Sequence, residues 1–214
     1  MKNDIHTPRP QVSTLSGELS LENPDPAKIN LPDVITALRH QRRYGGHTTV
    51  PVSILQHSLH VWMLALCDGA SFEDQRKALW HDAPEAYLLD IPRPLKKLLG
   101  ETYARLEETF EVAVGGALRV ALWEPPVGLR KWDTIALACE CHLWRPPAAF
   151  ADWTNLPTAD DATKRLAEIA VRTADWPIEK LVYLDMLLEN GRGYPVKQFL
   201  LKNGMVILAK AVRE

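Results

Sequence analysis

Ala78-Leu79-Trp80-His81-Asp82-Ala83-Pro84-Glu85 is an apolar helical stretch interrupted by an adjacent histidine and aspartate. Packing alone does not select two neighbouring metal-ligand residue types with an acid three positions on. Helical advance puts Glu85 on the face of both His81 (i, i+4) and Asp82 (i, i+3). One turn would then present an imidazole and two carboxylates to one small volume. That is half of a metal site together with a candidate general acid or base. Pro84 predicts an end or kink of this helix just beyond the His-Asp pair.

On either side the apolar spacing is helical almost throughout, which predicts an all-α bundle. Ahead of the pair, Val52, Leu55, Leu59, Trp62, Met63 and Leu66 share one helical period, with Pro51 suited to the first turn and His57 mid-helix. Ser71 is the expected cap of the helix that carries His81, and Asp33 that of a short helix through Val34, Ile35 and Leu38. Beyond the pair, Pro92 and Pro94 suggest an extended turn over 90–97. An amphipathic helix is expected over 101–114, loosened or stopped by Gly115-Gly116. Another spans 128–144, ended by Pro146-Pro147, and a loop is expected over 148–157. Two more follow over 160–175 and 177–188, with Pro177 in an N1-like place and Gly191 and Gly193 breaking the second. Residues 1–32 form an N-terminal extension with a weak hairpin signal around Ser16-Gly17. The bundle proper is read as 33–190, and 191–214 as a tail docked on it. For 204–208, helix and strand stay open.

Composition narrows the function. The chain has 214 residues, 46% of them hydrophobic and 24% charged, which suits one domain with an ordinary core. A formal net charge of -2 offers no broad basic field for duplex nucleic acid. No apolar run approaches the roughly 20 residues of a spanning helix. Three cysteines suggest no disulfide framework, and no secretion signal opens the chain, so a cytoplasmic setting is expected. Cys139-x-Cys141-His142 invites a zinc reading, but no second ligand pair accompanies it and packing is preferred. His60, three positions from His57, is read as structural or exposed.

The chain also offers candidates for the other half of the site. His57, His81, Asp82 and Asp133 would supply two nitrogens and two oxygens, a shell suited to Mn, Fe, Co, Ni or Zn. Such an ion lowers the pKa of water and so makes a nucleophile near neutral pH. This ordered set resembles the HD-domain phosphohydrolase superfamily. Gln56-His57-Ser58, then 81–87, then Asp90-Ile91-Pro92-Arg93-Pro94-Leu95-Lys96 are similar to its branch of bacterial 5'-deoxynucleotidases and phage dNTP phosphohydrolases. The resemblance covers about residues 33–145.

It implies an HD-domain helical bundle with one divalent transition metal held by His57, His81, Asp82 and Asp133. It also implies Glu85 as the acid that assists the attacking water or the leaving group. Asp90 matches the carboxylate near the sugar hydroxyl, and could otherwise be a turn residue. Arg43 and Lys96 match basic positions near the phosphate, with plain surface charge as the other reading. Arg43-Tyr44 stands where the deoxynucleotidases have Arg-Trp, a departure that bears on deoxyribose selectivity. His47, in Gly45-Gly46-His47-Thr48, is either a substrate contact or a loop hydrogen-bonding residue. The expected substrate is a small nucleotide, most simply a (deoxy)nucleoside monophosphate, and the family implies a homodimer. A dNTP triphosphohydrolase and a non-catalytic metal-stabilised nucleotide-binding regulatory module are the alternatives.

Overall fold

The computed structural model describes residues 10–145 and 155–213. The helix stop expected at Pro146-Pro147 and most of the loop expected over 148–157 lie outside the described residues. The fold is all-α apart from one antiparallel hairpin, β1 (Gln11–Thr14) and β2 (Gly17–Ser20), which pair Val12 with Leu19 and Thr14 with Gly17. Its turn is Leu15-Ser16, and Gly17 sits at φ 126°, where a side chain would be strained. Leu19 is fully buried and pins the hairpin to the helical core.

The first helix, α1 (Leu31–His40), begins earlier than expected. Asn30 caps it by accepting from the Asp33 amide at 3.0 Å, and Asp33 lies in the first turn, where its charge favours the helix dipole. A short 3-10 turn, Arg43–Gly46, follows. The central helix is α2 (Ile54–Cys67). It starts after Pro51 because Ser53 and Gln56 form a reciprocal capping box, with bonds of 3.1 and 2.7 Å. Residues 57–66 are all buried, so this helix is enclosed by its neighbours on every side, its polar His57, Ser58 and His60 included.

Ser71 caps α3 (Phe72–Trp80) through the Asp74 amide, as expected. The helix does not run on to Glu85. Pro84 has no N–H to give the Trp80 carbonyl, which instead accepts from Ala83 at 2.9 Å. Residues 81–84 therefore continue as tight three-residue turns into α4 (Glu85–Leu88). The break falls before the His-Asp pair, not after it. The stretch over 90–97 is likewise no extended turn. Pro92 precedes α5 (Arg93–Leu99), and Pro94 occupies its first turn, where no donor is needed.

Gly115-Gly116 do not stop α6 (Glu101–Leu118). A Cβ at Gly115 would stand 2.6 Å from the Val120 carbonyl oxygen, so the glycine permits a close return of the chain. The remaining helices are α7 (Leu129–Trp144), α8 (Asp161–Ala174), α9 (Ile178–Glu189), α10 (Gly193–Lys202) and α11 (Val206–Ala211). Pro177 precedes α9 as its cap rather than standing at N1, and Gly193 opens α10. The tail is thus helical, with a turn at Gly204. Val196, Leu200 and Leu208 join the same core as α2.

The enclosure of α2 comes from α1, α3, α7, α8 and α11. Among the described residues no helix is long and apolar enough to cross a membrane. A buried polar link ties α3 to α9. Arg76 donates from Nε and Nη2 to Asp185 at 2.8 and 2.9 Å, and Trp80 Nε1 donates to the same carboxylate at 2.7 Å.

His60 is buried against α8, its Nε2 donating to the Thr163 carbonyl oxygen at 3.2 Å. Burial pushes its pKa down to about 4, with a further push from His57. The folded state then refuses a proton that the unfolded chain accepts below about pH 6.5. Stability present above pH 6.5 falls as the pH is lowered toward 4, by about 3 kcal/mol for a shift of this size. We expect His60→Gln to flatten this acid limb in urea titrations at pH 7 and 4.5. An unchanged slope would show that His60 has no part in it.

Candidate metal centre and its cavity

The site forms where α2, the 81–84 turns and α7 meet. His57 Nδ1 lies 2.7 Å from Glu140 Oε1. Burial would raise the Glu140 carboxyl, but Arg43, His57 and Tyr44 hold it well below the usual carboxylate range. It is therefore an acceptor, and Nδ1 carries the donated hydrogen. His81 Nδ1 donates to the Ala78 carbonyl oxygen at 2.8 Å. Both rings thus turn Nε2 inward.

His81 Nε2 is 3.2 Å from Asp82 Oδ2, and His57 Nε2 is 3.6 Å from the same oxygen. One ligand atom each from His57, His81 and Asp82 fits within a 4.8 Å group. Asp133 borders it on the His57 side, with Oδ1 3.2 Å from His57 Nε2. The approach is off-line, so His57 Nε2 is buried yet makes no hydrogen bond. An inward-facing imidazole nitrogen without a partner, ringed by carboxylates, fits a divalent ion. The Nδ1 contacts are those that orient metal-bound histidines.

The electrostatics favour a cation. Burial opposes charge on Asp82, yet His81, His57 and Arg43 hold it well below the usual range. Burial and Arg43 push His57 down, but Glu140 and Asp133 outweigh them and its pKa is pushed up to about 10. Glu85 behaves in the opposite way: burial first, then Asp82 and Asp90, raise it well above the usual value. Its Oε2 is buried and makes no hydrogen bond.

Asp82, Glu85 and Asp133 line a cavity of about 810 Å³, within the usual range for small-molecule sites. Arg43, Tyr44, His47, Asp90 and Lys96 line the same cavity, so the structure brings every residue singled out for substrate contact to one wall system. Their partners refine those readings. Arg43 is buried, with Nε 3.0 Å from Glu140 Oε2 and Nη1 3.7 Å from Asp82 Oδ2. It is not a surface charge, and its fork is engaged with protein carboxylates. Tyr44 sits at φ 58° and donates its hydroxyl to Glu140 Oε2 at 2.5 Å, while the Arg145 guanidinium lies 4.6 Å over its ring. Lys96 Nζ bonds Glu107 at 2.7 Å and lies 3.6 Å from Glu85. Asp90 follows Leu89, whose φ of 68° is unusual for leucine.

Glu140 escaped the sequence reading. It lies seven residues after Asp133, two turns along the same face of α7, and that spacing was the one signal available. Arg93 and Arg145 also line the cavity, with Arg93 Nη2 3.5 Å from Asp133 Oδ2.

Comparison with known proteins adds relatives without assigned roles. No family model matches the chain. It is 37% identical over 121 residues to the uncharacterized protein YfdR of Escherichia coli strain K12, which covers 55% of this chain and 61% of that protein. It is 34% identical over 105 residues to the uncharacterized protein RCAP_rcc00048 of Rhodobacter capsulatus, covering 47% of this chain and 54% of that protein. The chain therefore spans less than two thirds of the length of either relative.

The convergent nitrogens and carboxylates lead to a thermal test. Adding Mn, Co or Zn should raise the melting temperature of the wild-type protein. At a hundredfold excess over Kd the stabilisation is about 2.7 kcal/mol. His81→Ala and Asp82→Ala should abolish the shift. An equal shift in both variants would place any bound ion elsewhere.

Proposed function

We propose that this protein is a metal-dependent phosphohydrolase of the HD-domain type, acting on nucleotides and most simply on (deoxy)nucleoside 5'-monophosphates. The observation that carries the reading is the paired commitment of two Nδ1 hydrogens. It leaves two Nε2 atoms grouped with the Asp82 carboxylate, with Asp133 bordering them on the His57 side and both carboxylates lining a nucleotide-sized cavity.

In this reading His57, His81, Asp82 and Asp133 hold one divalent transition metal ion. When bound, such an ion supplies Lewis-acid chemistry, acidifying water and polarising a phosphoryl group. The remaining steps belong to the chain. Glu85, half-buried and with its carboxyl raised well above the usual value by burial and by Asp82 and Asp90, gives a proton to the leaving sugar oxygen. Lys96 offsets charge that develops on the phosphate, and it stands 3.6 Å from Glu85, so the two can act on one bond. Asp90 and His47, which line the cavity, are assigned to the sugar, and Tyr44 forms a fixed wall because its hydroxyl is bound inward to Glu140. The resemblance of the ordered motif to the HD-domain nucleotidases supports the same choice of substrate class. Glu85 favours turnover over a purely regulatory role, since a half-buried carboxyl poised to donate has no use in a passive binding module.

The test is product analysis over a nucleotide panel with Mn or Co, separating phosphate from triphosphate by chromatography. Phosphate and nucleoside are expected from monophosphates. Glu85→Gln keeps the shape of the neutral acid but has no proton to give. It should lower kcat by about 10²–10⁴-fold while leaving bound metal unchanged. Wild-type turnover in that variant would remove Glu85 from the chemistry, and a panel without any released phosphate or triphosphate would sink the reading.

A further inference from the structure

Glu140 is 1% exposed and lies behind the metal ligands rather than among them. A fully buried carboxylate is costly unless its oxygens are satisfied. Here the two oxygens serve different parts of the molecule. Oε1 accepts from His57 Nδ1 at 2.7 Å. Oε2 accepts from Arg43 Nε at 3.0 Å and from the Tyr44 hydroxyl at 2.5 Å. One oxygen holds a candidate metal ligand, and the other holds the turn that walls the cavity.

That turn is conformationally demanding. Tyr44, Gly45 and Gly46 occupy consecutive left-handed conformations at φ 58°, 59° and 81°. For tyrosine this region is disfavoured, so side-chain contacts must hold it. The Tyr44 hydroxyl and the Arg43 guanidinium do so, both on the same oxygen. A small rotation of the Glu140 carboxyl would loosen the turn and untie His57 together. An ion pair needed only for folding would not require the two oxygens to be divided in this way.

We propose that Glu140 is a positioning residue that couples the cavity wall at 43–47 to the metal site. It fixes the tautomer and orientation of His57 through one oxygen and the conformation of the turn through the other. The inference rests on the metal-centre reading above. Coupling of this kind is reciprocal: occupancy of the metal site should tighten the turn, and release of the turn should weaken metal binding by the same factor.

The test uses the full-length protein and Co(II) alone as the probe, with binding followed by its visible absorption and the turn by amide hydrogen exchange at 43–47. In the wild type, Co(II) is expected to bind and to raise protection of these amides. Glu140→Gln keeps the shape and an acceptor but removes the charge. It should weaken Co(II) binding by about 10–100-fold and erase the metal-dependent protection. Tyr44→Phe removes only the wall contact, so the metal-dependent protection should be lost while Co(II) affinity falls only by the coupling factor, less than in Glu140→Gln. Wild-type Co(II) affinity and protection in Glu140→Gln would overturn the proposal. If that variant does not fold, protection that persists in Tyr44→Phe overturns it instead. A wild type that binds Co(II) but hydrolyses no nucleotide would remove the phosphohydrolase reading and leave the coupling standing. A wild type that binds no Co(II) would overturn both.

Discussion

His57 is a polar side chain in the middle of a helix that is buried on nearly every side. Such an imidazole must find hydrogen-bonding partners inside the protein. The bonded partner comes from α7, where Glu140 takes Nδ1 and Asp133, two turns earlier on the same face, stands 3.2 Å from Nε2 without bonding it. The packing of α2 on α7 and the geometry of the site are therefore a single constraint. Glu140 has the same need in reverse, and its donors come from α2 and from the 43–46 turn. The candidate site is thus built into the core, and its precision derives from the elements least able to move.

The opposite side of the site depends on the end of α3. Pro84 removes the donor that would have continued the helix, and the 81–84 turns then direct Asp82 toward both imidazoles. A free helix end would not hold that aim. Trp80, immediately before His81, is tied by its Nε1 to Asp185, which also receives the Arg76 fork. The guanidinium further caps α6 through the Leu118 and Arg119 carbonyl oxygens. Three helices therefore meet at the buried Arg76–Asp185 pair, to which Trp80, the residue before His81, is bonded.

Local pattern revealed much of this and missed what is not local. The 3.6-residue period located α2, α3 and α7, and residue type and order picked out His57, His81 and Asp82, which share one small group, and Asp133, which stands at its edge beside His57. Helix ends were less legible. Asn30 and not Asp33, and Ser53 and not Pro51, start their helices, because a cap depends on which side chain reaches back to an amide. Gly115 reads as a breaker when its close neighbour, Val120, is not yet known. Pro92 and Pro94 suit a helix start as well as an extended turn, and α5 takes the first option. Glu140 could not be found from composition: a carboxylate between two cysteines on an apolar helix gains meaning only when His57, Arg43 and Tyr44 are brought against it. The same contact changes the reading of Arg43, whose sequence position suggests phosphate and whose guanidinium is already held inside.

The division of labour between Arg43 and Lys96 follows from their surroundings. Arg43 is buried and bound to Glu140 and Asp82, so an entering phosphate would have to compete with two fixed carboxylates for it. Its field is the main charge that lowers the Glu140 carboxyl, and at Asp82 it adds to the larger effects of His81 and His57. Lys96 is partly exposed and has a four-carbon stem, and its main partner, Glu107, is itself a third exposed. Exchanging that solvated partner for a phosphate costs little, because a weak surface pair gives up little when broken. In the proposed reaction Lys96 is the cation that moves and Arg43 the one that stays. Motion of Lys96 also acts on Glu85, 3.6 Å away: drawn toward a phosphate, the ammonium leaves the carboxyl more strongly protonated at the point where a proton is needed.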